Sequence, residues 1–191
     1  MIGRMTRGAL AGAAATWLMD QVTTAMMSSQ RAQVTAREEA AQPNGKGALE
    51  NLVGRVENAL DMPLDDKQRS MTLQALHYGL GMAPGALYAV LRRRLPLIGA
   101  GGGLLYGAAL WAINDEWLNS ALGLAAPFGD YPPETHVRGL VGHLALGGAT
   151  DSLLDLLGGC YSPRRANRPS RRCATPAATV RNAPGWTRVL P

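Results

Sequence analysis

Apolar and polar positions are segregated along this chain into long blocks. Residues 8–28 carry one charge, Asp20, and residues 71–91 and 97–114 carry none. Residues 137–158 are apolar apart from Arg138, His143, Asp151 and Asp155. Each block reaches the roughly 17–25 residues that a helix needs to cross a ~30 Å hydrocarbon layer. The pattern predicts an all-α protein, a polytopic membrane helix bundle with about four transmembrane helices over 8–28, 71–91, 97–114 and 137–158. The third block is the most continuous, from Leu97 to Ile113, and places Gly101, Gly102 and Gly103 inside an uncharged helix. Residues 29–70 are polar and mixed. Within them Leu49, Leu52, Val53, Val56 and Leu60 share one helical face, which predicts an amphipathic helix over 48–62 that Pro63 helps to end. It would lie on the membrane surface or against the bundle.

Composition explains why a chain average hides this pattern. Hydrophobic residues make up 47% and charged residues only 17% of 191, and the mean hydropathy is near zero because the two kinds lie apart. The net charge of +5 resides in the tail, where residues 161–191 hold seven Arg, five Pro and no acid. That composition predicts a disordered cytoplasmic tail whose arginines meet anionic lipid headgroups. Nucleic acid is a weaker partner for it, because aromatic side chains able to stack on bases are nearly absent.

The loops give a separate test of topology. Short cytoplasmic loops are enriched in Lys and Arg. An internal N-terminus with Arg4 and Arg7 puts the Arg92–Arg94 turn and the Arg-rich tail inside as well. The acidic connection from Asp115 to Glu134 and the mixed 29–70 loop then fall outside. The charge pattern thus predicts a cytoplasmic-membrane protein with both termini in the cytoplasm. Cys160 and Cys173 would face the reducing side as free thiols. A soluble bundle with deeply buried helices is the alternative.

Small residues recur at spacing four in each block: Gly8, Gly12, Thr16; Gly81, Gly85, Ala89; Gly99, Gly103, Gly107; Gly139, His143, Gly147. Lipid gives helices no hydrophobic reason to associate, so close backbone contact through small residues does the work. These rows predict one compact bundle, or contacts between copies in a homo-oligomer. Pro84 should kink the second helix and open space around His77 and Tyr88.

Ionisable groups inside such blocks are functional candidates because burying them is costly. Asp20, His77, His143 and Asp151 form a candidate intramembrane polar or proton-relay set. Imidazole and desolvated carboxylate have proton affinities that converge near neutrality. Asp155 lies near the inner end of its helix, where headgroup water is within reach. Asp115, Glu116 and His136 are a candidate outer-mouth cluster. No HxxxH or HxxE spacing occurs, so neither a metal nor another cofactor is expected. No GxSxG, P-loop or CxxC motif occurs, and an enzyme is not expected.

The stretch from Trp111 to Asp151 carries a recognisable order of elements. It has Asp115–Glu116, Leu122–Gly123–Leu124, Pro127, Pro132, His136, Gly142–His143–Leu144, Gly147 or Gly148, and Thr150–Asp151. In these it resembles the YagU-like family of uncharacterised bacterial inner-membrane proteins. The resemblance covers about 40 of 191 residues and omits the 29–70 loop and the tail. It implies a multi-helix protein of the bacterial cytoplasmic membrane and transfers no chemistry. Two roles follow as expectations: a structural or stress-related membrane protein, or a proton-coupled or ion-conducting small carrier that uses the intramembrane Asp and His.

Overall fold

The computed structural model describes residues 2–95 and 97–158. Cys160, Cys173, the 161–191 tail and its expected headgroup contact lie outside the described residues. Among the described residues all regular structure is helical. Helix α1 spans Ile2–Ser28, α2 Ala32–Ala41, α3 Ala48–Leu60 and α4 Asp66–Leu91. Helix α5 spans Leu104–Leu110 and runs without interruption into a π-helical stretch, Trp111–Leu118, and a final turn, Asn119–Ala121. Helix α6 spans Pro133–Gly158.

The helix boundaries follow from local chemistry. Helix α4 opens on a capping box: the Gln68 amide donates to Asp65 Oδ1 at 2.8 Å, and the Asp65 amide donates to Gln68 Oε1 at 3.1 Å. Helix α3 opens with the Gly47 amide donating to Glu50 Oε2 at 3.1 Å and ends at Asp61, which takes a left-handed conformation with φ 51°. Helix α6 opens on Pro133 with Glu134 in its first turn, where a carboxylate complements the helix dipole. Ser28 and Ser29 bond back to the carbonyls of Ala25 and Met26, which closes α1.

Helices α1, α4, α5 and α6 run antiparallel to their chain neighbours and form the bundle; α2 and α3 sit across one end, called the outer end here. Helix α1 packs on α4 and α6, and α5 packs on α6. Two of these three seams, α1–α4 and α5–α6, are made by the predicted small-residue rows; the third, α1–α6, sets Thr23 and Met19 against Gly142. A side chain at Gly12 would overlap the Gly81 carbonyl, and one at Gly8 would overlap the Gly85 carbonyl. In the second seam Gly103 and Gly107 lie against the backbone of Gly147 and His143. Between the seams Tyr88 of α4 stacks on Tyr106 of α5, with ring centroids 4.3 Å apart. The core is Ala11, Ala15, Tyr88, Ala89, Tyr106, Leu146 and Leu154, so alanines and two tyrosines outnumber the bulky aliphatics.

The third block departs from expectation. Residues Leu97–Gly103 are not helical; Gly101, Gly102 and Gly103 adopt φ of 69°, 67° and 87°, a left-handed run open to glycine. The helix therefore starts at Leu104, and Asp115 and Glu116 lie within its π-helical stretch rather than in the outer connection. Among the described residues no helix is long and apolar enough to cross a membrane. The helices of 26 or 27 residues have the length, about 40 Å at 1.5 Å per residue. Their inward faces of Gly, Thr, His and Asp lower the average.

The amphipathic helix forms close to its expected bounds and packs against the bundle. Its buried face differs from the apolar one: Val53 is buried together with Asn51 and Glu57, while Val56 and Leu60 face outward. Asn51 Nδ2 donates to the carbonyls of Pro43, Lys46 and Leu124. Arg55 donates to those of Leu122 and Gly123 at 2.5 and 2.7 Å. The bonds to Leu122, Gly123 and Leu124 fix α3 to the loop after α5, and those to Pro43 and Lys46 fix the segment that leads into α3. Glu57 accepts from the Leu64 amide at 2.9 Å and pairs with Arg69, which fixes α3 to α4. Buried backbone carbonyls must find donors, so they select the polar edge of α3.

Candidate functional site

A cavity of about 450 Å³ lies between α1, α4, α5 and α6, beneath the N-terminus of α3. Its walls are mostly apolar: Met19, Leu49, Leu80, Pro84, Leu110 and Leu146. Its polar groups are Thr16, His77, Asn114, Asp115, Asn119 and His143. Thr16 is internally satisfied, its hydroxyl bonded to the Gly12 carbonyl at 2.9 Å. Pro84 has no N–H to offer the Leu80 carbonyl, and both residues sit in the wall. The space expected from Pro84 is thus found on the His77 side; Tyr88 lies one turn further, against Tyr106.

Two histidine–carboxylate pairs border this cavity. His77 Nε2 of α4 meets Asp20 Oδ1 of α1 at 2.8 Å, with both side chains about one third exposed. This pair also lines an open groove with Glu50, Asp66, Arg69 and Gln74 at the outer end. His143 of α6 is buried; its Nδ1 donates to the Gly139 carbonyl at 3.0 Å and lies 3.5 Å from Asp115 Oδ2. Asp115 Oδ1 accepts from Asn114 Nδ2 at 2.8 Å.

The outer cluster occupies an adjoining space. A second cavity of about 230 Å³ shares Gly47, Ala48 and Asp115 with the first and is lined further by Glu38, Glu116, His136 and Arg138. His136 Nδ1 is 2.8 Å from Glu116 Oε1, and its Nε2 is 3.0 Å from the Phe128 carbonyl. The structure therefore brings Asp115, Glu116 and His136 to one cavity, as their grouping anticipates, and pairs Asp115 with His143 instead of His136. Arg138 reaches Glu38 of α2 and Gln30, a buried pair that holds α2 to α6.

Asp151 does not join the histidines. It lies at the inner end, where its Oδ1 accepts from Arg92 Nη1 at 2.5 Å and from the Tyr88 hydroxyl at 2.6 Å. Asp155 Oδ1 is 3.0 Å from Arg92 Nη2, so its partner is a guanidinium rather than headgroup water. Arg92, expected in a cytoplasmic turn, is buried, 2% exposed. The signal for this lock was present in the sequence: Tyr88 and Arg92 are four apart, as are Asp151 and Asp155, so each pair shares a helix face. The roles of Asn114, Glu38 and Arg138 carried no such signal, because their partners lie on distant segments.

An imidazole beside a carboxylate is an arrangement that can hold a proton on either group. The carboxylate of the second pair sits in a π-helical stretch, a distortion that recurs at functional sites. Among the described residues no group of three or more His, Cys, Asp or Glu is placed to hold a metal ion. Compared with protein-family models, curated proteins and solved structures, the chain matches none.

Proposed function

We propose that this chain is an integral protein of the bacterial cytoplasmic membrane, of the YagU-like kind, that conducts protons through its central cavity, which also admits a small solute. The supporting observation is the inverted polarity of the long helices. The exposed positions of α1 beyond Gly8 include Leu10, Trp17, Leu18 and Met27, and no charge. Those of α4 beyond Ser70 include Met71, Met82 and Leu87; those of α5 and its π-helical continuation, Leu104, Leu105 and Ile113; those of α6 beyond Glu134, Val137, Val141, Leu156 and Leu157. These faces also carry no charge, while the charged residues of the same segments face inward and are paired. A bundle meets lipid only with its exterior, so a helix with a polar inner face is tolerated inside a membrane when that face is turned to its neighbours. Exposed apolar surface on this scale marks an interaction with lipid or protein.

Of the two expected roles, the carrier is favoured over the structural or stress-related one by the cavity itself. A purely structural bundle has no need of open volume flanked by two titratable pairs. The carrier reading places both termini in the cytoplasm and α2, α3 and the 122–132 loop outside.

The test has two steps. Single cysteines at Ala40 and Gly129 should label from outside intact cells and one at Arg93 only after lysis, with the protein resisting carbonate extraction. Purified protein in liposomes should then dissipate an imposed pH gradient, and Asp20→Asn or His143→Gln should abolish this while the protein remains folded. Release by carbonate, or wild type without flux, would refute the reading.

A further inference from the structure

We infer that the central cavity binds a small organic cation with an apolar body, with Asp115 as its counter-charge; this deepens the carrier reading by naming the class of solute. Three observations carry it. The cavity's volume, about 450 Å³, is in the range of small-molecule sites, roughly 300–1,000 Å³, and its walls are mainly apolar. Its lining includes Asp115 and no Lys or Arg. Arg138, which lines the adjoining cavity, has its guanidinium engaged by Glu38 and Gln30.

The third observation is the state of Asp115. Its carboxylate takes one hydrogen bond, from Asn114, at 2.8 Å. The His143 nitrogen on its other side is 3.5 Å away and already donates to the Gly139 carbonyl. A carboxylate accepts about four hydrogen bonds, so this one keeps acceptor capacity toward the cavity. An anion there would face a negative group with no Lys or Arg in the lining to offset it. A neutral apolar solute would strip water from the carboxylate and from Asn119 without replacing its hydrogen bonds, which is costly. A cation satisfies the carboxylate while its apolar body covers Leu80, Leu110 and Leu146.

The probe is tetraphenylphosphonium, with tetraphenylborate as the anion of the same shape. Both are measured by equilibrium dialysis against the purified protein in detergent, with protein-free micelles as the blank. Saturable binding of the phosphonium, at least tenfold tighter than that of the borate, is the expected result. Asp115→Asn should weaken it at least tenfold and Asp115→Glu much less. Equal binding of the two ions, or Asp115→Asn binding like wild type, would overturn the inference. If Asp115→Asn does not fold, the comparison of the two ions on wild type decides. Proton flux in liposomes without the phosphonium separates this from the carrier reading: flux without cation selectivity refutes this inference alone, and selective binding without flux refutes only the carrier.

Discussion

Removing the Arg92 side chain charge is the perturbation with the best-defined consequence. In Arg92→Met, the aliphatic stem is kept and the guanidinium is lost. That guanidinium is 3% exposed and bonds Asp151 at 2.5 Å and Asp155 at 3.0 Å. Asp151, 14% exposed, would keep only the Tyr88 hydroxyl as a donor. Breaking a buried ion pair by deleting one partner costs about 3–5 kcal/mol, because the remaining charge is left uncompensated. Asp155 is one third exposed and adds little, since solvent can take over its pairing. Replacing both members of a buried pair by apolar residues is often near neutral. The double variant Arg92→Met with Asp151→Leu should therefore recover most of the loss, to within about 1–2 kcal/mol of wild type. The assay is unfolding in mixed detergent–SDS micelles followed by tryptophan fluorescence, run as a double-mutant cycle. An Arg92→Met loss below about 1 kcal/mol, or a double variant as unstable as the sum of the singles, would refute the reasoning.

Other outcomes follow from the same contacts. Gly12→Val drives a side chain into the Gly81 backbone and should separate α1 from α4, with a loss of at least about 1–3 kcal/mol in the same unfolding assay. Gly79→Ala, inside α4 with no atom within 4 Å of the added carbon, should instead raise stability by about 0.5–1 kcal/mol. Glu57→Ala removes the acceptor of the Leu64 amide and the partner of Arg69; it should cost about 1–3 kcal/mol and raise amide exchange over 57–69. Wild-type exchange rates in that segment would contradict it. Tyr88→Phe should cost about 1 kcal/mol by thermal unfolding, because Asp151 keeps its Arg92 bond.

Helical class, the C-terminal ends of α1, α4 and α6, the start of α3 and the α1–α4 and α5–α6 seams were legible in the sequence, because they depend on apolar runs and on glycine at spacing four. The long helices begin four to six residues before their apolar runs, since polar first turns and caps such as Asp65 with Gln68 extend them beyond the hydrophobic signal. The start of α5 was misplaced for a physical reason. Gly101 to Gly103 are as compatible with an uncharged helix as with a left-handed turn, and the latter is selected by the close approach of Gly103 to Gly147 on α6. The buried face of α3 was misplaced because hydrophobic periodicity does not see the loop carbonyls that Asn51 and Arg55 satisfy.

By itself the sequence determined which residues are costly to leave unpaired: Asp20, His77, Asp115, Glu116, His136, His143 and Asp151. Their sorting into partners was decided only by tertiary structure. Asp20 pairs with His77 across α1 and α4, and Asp115 faces His143 across the α5–α6 seam. Asp151 is drawn to Arg92 at the other end of the bundle. Charge identity is a property of single residues, whereas pairing depends on helix register and rotation. Register and rotation are set where backbones meet, at Gly12 with Gly81 and at Gly107 with His143.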